Sequence, residues 1–157
     1  MPSIDGASIR KILDSRGNAT IEVEIRAGSV TGRAAAPSGA STGAHEPKAL
    51  PDGGVEEAMR IFRESVGPGI KGREVSDQAG LDRTLREIDG TRNFARIGCN
   101  AATAVSLANA KAAASASGKP LFRYLGGRSR LSLPLPLGNV IGGGRHEIGR
   151  ASCRERV

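Results

Sequence analysis

"TIEVEIRA", residues 20–27, alternates without a break: Ile21, Val23 and Ile25 fall on one face, and Thr20, Glu22, Glu24 and Arg26 on the other. A period of two is the signature of a strand with one buried face. "RGN" before it and "AGS" after it supply turn chemistry. "ASIRKILD" (7–14) and "VTGRAAA" (30–36) lie on either side, so the simplest assignment is a three-stranded antiparallel meander.

Past Pro51 the period lengthens. Val55, Met59, Phe62 and Val66 share one helical face, with Pro68 and Gly69 expected to end that helix. Asp77 is placed to cap a second helix, with Leu81, Leu85 and Ile88 as its stripe and "DGT" (89–91) as its stop. Asn100 is expected to cap a long helix through Ser117, closed by Gly118 and Pro120. That helix carries mostly Ala and Ser, side chains small enough for close packing. "PLFRYLGG" reads as a short helical turn. Strands first and helices after predict an α+β fold, a three-stranded antiparallel meander followed by a helical bundle, rather than alternating βαβ units. At "LSLPLPLGNVIGGG" (131–144) the composition shifts again, as in a linker feeding a new strand.

A length of 157 residues allows one domain, or one domain and a piece of another. No apolar run approaches the roughly 18 residues of a membrane span, and the N-terminus lacks a signal-type apolar stretch. A soluble, cytoplasmic protein with no membrane partner is the expectation. The net charge of +7 suits an anionic partner, yet the cations are interleaved with 16 acids. Aromatics are 3%, with no Trp and one Tyr, which disfavours a single-strand nucleic-acid binder. Cys99 and Cys153 have no partner at metal-ligand spacing and make no disulfide scaffold. Cys99, in the alanine-rich run, reads as a small buried apolar residue.

The stretch "PSGASTGAHE" (37–46) is polar, hydroxyl-rich and broken by Gly39 and Gly43. It is not a phosphate-binding P-loop: the glycines are too close and no Lys-Ser/Thr follows. Read alone, it is a surface loop. It keeps company, however, with "ILDSRGNATIEVEI" (12–25), "EIDGT" (87–91), "GCNAATAVSLANAKAAA" (98–114), "PLFRYLGG" (120–127) and "LPLPLGNVIGGGRH" (133–146). In that order and at that spacing, over residues 3 to 146, the chain resembles the N-terminal part of the enolase (phosphopyruvate hydratase) family.

The resemblance implies an N-terminal domain over residues 1–128. It implies a linker and first strand of an α/β barrel over 129–146, the rest of that barrel being missing. The family dehydrates 2-phosphoglycerate to phosphoenolpyruvate with Mg²⁺, two ions per site, absorbing the charge that develops next to a carboxylate. By resemblance, 37–46 is a mobile active-site lid. Ser41 would supply oxygen to the second Mg²⁺, as such a hard cation prefers. Gly39, Ala40 and Ser41 would lie over the substrate, with Ser38, Thr42, Gly43, His45 and Glu46 completing the lid. His146 would be the histidine near the substrate phosphate, a substrate-binding and catalytic position. Arg16 and Glu22 match positions near the family's dimer interface, implying a homodimer or a higher homo-oligomer. The family's metal-binding carboxylates, catalytic Lys and acidic proton donors lie beyond residue 146, so the chain by itself is expected to lack turnover.

Departures from the family pattern are Ala19 in place of Pro, Gly142 in place of Asn, and Ala49 and Pro51 in place of a Glu and an Arg that follow the lid. "EIGRASCRERV" (147–157) matches nothing in the family and back-translates into a common sequencing-adapter sequence, so it is expected to be a non-native tail. The alternative reading of the whole is a non-catalytic basic module for anionic ligands or subunit assembly.

Overall fold

The computed structural model describes residues 1–36, 43, 45–127, 132–136 and 138. Its sheet has three antiparallel strands, β1 (Gly6–Leu13), β2 (Ala19–Ala27) and β3 (Val30–Ala35), in the order β1-β2-β3. The register sets Ile9 opposite Val23, and Val23 opposite Ala34. β2 is the central strand, and Ile21, Val23 and Ile25 have no exposed surface at all. Full burial of such side chains stabilises by about 1.5–3 kcal/mol each relative to exposure.

The other face of β2 carries cross-strand ion pairs. Arg10 of β1 reaches Glu22, and Arg33 Nη2 of β3 reaches Glu24 at 2.8 Å. Thr20 departs from the expected polar face. It is buried, and its hydroxyl donates to the Ala36 carbonyl at 2.9 Å, because the chain leaving β3 folds over that end of β2.

Among the described residues, α1 (Gly54–Ile61) is followed by α2 (Gly67–Ile70), α3 (Gln78–Asp89), α4 (Cys99–Ala116) and α5 (Leu121–Gly126). The first helix does not stop at Pro68. A π turn over Phe62–Val66 joins α1 to α2, and the Gly67 N–H reaches back five residues to the Phe62 carbonyl. Pro68 then falls in the first turn of α2, and the five-residue reach at Gly67 carries the helical run past a residue that has no N–H to donate. The wider turn keeps Phe62, Val66 and Ile70 buried.

α3 begins as expected, with Asp77 Oδ1 accepting the Gly80 N–H at 2.9 Å, and buries Leu81 and Leu85 before ending at Gly90. α4 does not begin at an Asn100 cap. Gly98 is the cap residue, and Asn100 lies buried inside the first turn. The exposed amides are met by backbone from far away in sequence: Cys99 N–H donates to Lys48 O at 2.8 Å and Asn100 N–H to Ala49 O at 3.0 Å. Gly98 has φ of 81°, and a Cβ there would stand 2.9 Å from Ala49 O, so glycine is required twice over.

α4 covers the apolar face of the sheet. Ala104, Val105, Ala108 and Ala112 are buried on it. The approach is so close that a Cβ on Gly32 would lie 2.0 Å from Ala108 O. Lys111 Nζ donates to Arg33 O at 2.8 Å across this seam. Beyond it, Phe122 and Leu125 of α5 stand 62% exposed, and residues 132–136 run without regular structure. The rest of the strand expected there, and residues 147–157, lie outside the described residues. Among the described residues no helix is long and apolar enough to cross a membrane.

Candidate functional site

The 37–46 loop leaves β3 at Ala36. Its N-terminal stem is fixed there: Ala36 N–H donates to Ile21 O at 3.1 Å, and Ala36 O accepts the Thr20 hydroxyl. The C-terminal stem is fixed on another part of the fold. Lys48 N–H donates to Asn93 O at 2.9 Å, while the Lys48 and Ala49 carbonyls take the first amides of α4. Two separate elements therefore hold the two ends, a common arrangement for functional loops on rigid supports.

Of the candidate residues in the loop, Gly43, His45 and Glu46 are described, and all three are exposed. Glu46 closes a small ring: its Oε2 accepts the Gly43 N–H at 2.9 Å while its own N–H donates to Gly43 O at 3.1 Å. The carboxylate thus braces the turn that ends the loop. Ser38, Gly39, Ala40, Ser41, Thr42 and His146 lie outside the described residues. Arg16 and Glu22 sit apart from the loop's C-terminal stem. The Arg16 N–H donates to Asp14 Oδ1 at 2.8 Å in the β1–β2 turn, and Glu22 is on the outer sheet face beside Arg10.

Among the described residues no three His, Cys, Asp or Glu side chains gather as a metal group. Near the loop, the Glu46 carboxylate is taken by the Gly43 amide and Asp52 is paired with Lys48. These carboxylates do not make a Mg²⁺ site.

Cys99 corrects an expectation. It is half-buried rather than enclosed, because it opens α4 rather than lying within it. With Pro47, Phe94 and Leu107 it walls a cleft of about 330 Å³ between α3, α4 and the loop stem. Burial pushes its thiol pKa up, and the negative charge of Glu46 adds to the shift, so the thiol is kept in its unreactive form.

Sequence reading missed the anchoring of the stem. The "DGT" segment was legible as a helix stop, but not as the start of the loop that receives Lys48. The one local signal is Asp followed two residues later by Thr, a pairing able to fold the chain back on itself.

An α+β domain with a loop hung between its sheet and its longest helix is the class that fold and site define. A family model described as "Enolase, N-terminal domain" matches residues 4–125, and the chain belongs to that family. It is 49% identical over 143 residues to the enolase of Methanosphaera stadtmanae, covering 91% of this chain and 34% of that protein. The enolase of Methanothermobacter thermautotrophicus matches equally, at 49% over 143 residues, 91% of this chain and 34% of the relative. The enolase of Picrophilus torridus is 47% identical over 152 residues, 97% of this chain and 38% of the relative. The chain thus spans about a third of the length of these relatives.

Proposed function

We propose that this chain is the loop-bearing N-terminal part of an enolase, which dehydrates 2-phosphoglycerate to phosphoenolpyruvate. The observation that carries the reading is the double anchoring of the 37–46 stretch, one stem on β2 and the other on the start of α4. A segment so held can change shape between its stems while its ends stay in place, as a lid over substrate requires. In this reading Gly39, Ala40 and Ser41 close over the substrate, Ser41 offers oxygen to one of two Mg²⁺ ions, and His146 sits near the phosphate. Ser38, Thr42, Gly43 and His45 complete the lid, and Glu46 braces its end. Residues 1–128 form the N-terminal domain, 129–146 lead into a barrel, and 147–157 form a tail outside both. Because the chain spans about a third of its enolase relatives, turnover is proposed to need the remaining two thirds. The whole is proposed to work in the cytoplasm as a homo-oligomer, with Arg16 and Glu22 near the subunit contact.

The test is a chimera in which residues 4–125 replace the matching segment of the Methanosphaera stadtmanae enolase. Phosphoenolpyruvate formation is followed by ultraviolet absorbance with and without Mg²⁺, alongside sedimentation of chimera and parent. Magnesium-dependent product formation supports the reading. A chimera that assembles like its parent but forms no product overturns it.

A further inference from the structure

Asp89 ends α3 and is only 2% exposed. A carboxylate is costly to bury unless its oxygens are well satisfied. Here both are saturated by one loop. Oδ1 accepts the N–H groups of Arg96 at 3.0 Å and Ile97 at 2.8 Å. Oδ2 accepts the Thr91 N–H at 3.0 Å and the Thr91 hydroxyl. That hydroxyl oxygen in turn accepts the Ala95 N–H at 2.9 Å. None of the roles proposed above uses this side chain.

The clamped loop holds Phe94, the one non-glycine residue with positive φ among the described residues, at 55°. The left-handed region is strained for a bulky residue and persists only where the surroundings enforce it. The carbonyl just before it, Asn93 O, is the acceptor for Lys48 N–H. Lys48 and Ala49 then present their own carbonyls to Cys99 and Asn100. A continuous run of short bonds therefore leads from Asp89, through a strained loop, to the stem of the 37–46 segment.

We propose that Asp89 is a positioning residue for that segment. Its carboxylate holds Phe94 in the left-handed conformation that turns the Asn93 carbonyl toward Lys48, and so fixes where the C-terminal stem meets α4. The functional meaning of the clamp rests on the lid reading above; its physical operation does not.

The experiment is residue-resolved amide hydrogen exchange on the 157-residue chain, without metal or phosphoglycerate. Asp89→Asn turns an amide NH₂ toward backbone donors. It is expected to speed exchange at Lys48 about tenfold more than at Val105 in the middle of α4. Adding Phe94→Gly, which adopts positive φ without strain, is expected to return at least half of that selective loss on a logarithmic scale. Thr91→Ala keeps the carboxylate but deletes one donor to it and, with the same hydroxyl, the acceptor of the Ala95 N–H; it covers the case in which Asp89→Asn does not fold, with an expected selective loss at Lys48 of about threefold. Equal acceleration at Lys48 and Val105, an unchanged Lys48 in a folded variant, or no rescue by Phe94→Gly overturns the proposal. No ligand enters this measurement, so the clamp can fail while the lid reading stands. The chimera can likewise fail to turn over while the exchange pattern holds.

Discussion

Gly32 faces the backbone of Ala108 so closely that a side chain on it would begin 2.0 Å from the Ala108 carbonyl oxygen. The neighbour is helix backbone and cannot rotate away as a flexible side chain would. Gly32→Ala is therefore expected to push α4 off β3 and to destabilise by about 3 kcal/mol or more, in the range of severe overpacking. Chemical denaturation checks this, and a loss below about 1 kcal/mol would mean the seam adapts more easily than its geometry implies.

The Asp77 cap offers a gentler test. Its side chain accepts the Gly80 N–H at the start of α3. Asp77→Ala is expected to cost about 0.5–2 kcal/mol. Asp77→Asn retains an acceptor and is expected to cost less. Denaturant midpoints of the three proteins give the order.

Cys99 predicts a pH profile. Burial and then Glu46 raise its thiol pKa. In a Cys153→Ser background, alkylation of Cys99 should rise with pH later than alkylation of a free thiol. Glu46→Gln should move the curve part of the way back. The sign for stability follows from the same shift: the folded state favours the protonated thiol, so the contribution is complete below the unfolded thiol pKa and is lost as pH rises through the folded one. Compared with Cys99→Ala, the Cys99 protein should lose stability faster on the alkaline side. Identical slopes would remove the shift from the account.

Glu22 separates domain stability from assembly. Its pair with Arg10 lies on an open sheet face, where such pairs contribute about 0–1 kcal/mol. Glu22→Ala should hardly move the unfolding midpoint of this chain. In the longer chimera, the same change is expected to weaken the oligomer if Glu22 lies at the subunit contact, which sedimentation would show as dissociation at higher protein concentration.

The strands were legible because their information is local. Ile21, Val23 and Ile25 repeat every second residue, and burial follows directly. The Asp77 cap and the Leu81–Leu85 stripe were legible for the same reason. The start of α4 was not. An Asn in the first turn reads as a cap, but the bonds that end this helix come from carbonyls some fifty positions earlier in the chain. Pro68 misled in the opposite way: a breaker in sequence is accommodated inside a continuous helical run, because the π turn before it shifts the hydrogen-bond register. At the candidate site, the loop announced itself by composition. Its fastening through Asn93 and Lys48 could not be read, because backbone-to-backbone bonds leave no mark on residue identity.

The two stems of the loop belong to different halves of the domain, Ala36 to the sheet and Lys48 to the α3–α4 corner. The span between them is set by how sheet and helix are packed, not by the loop itself. Small slippage along the Gly32–Ala108 seam widens or narrows that opening while the domain is still folded. Heat, denaturant or a core substitution is therefore expected to change the spacing of the Ala36 and Lys48 stems before the domain melts, which makes that spacing a strain gauge for the seam between sheet and helix.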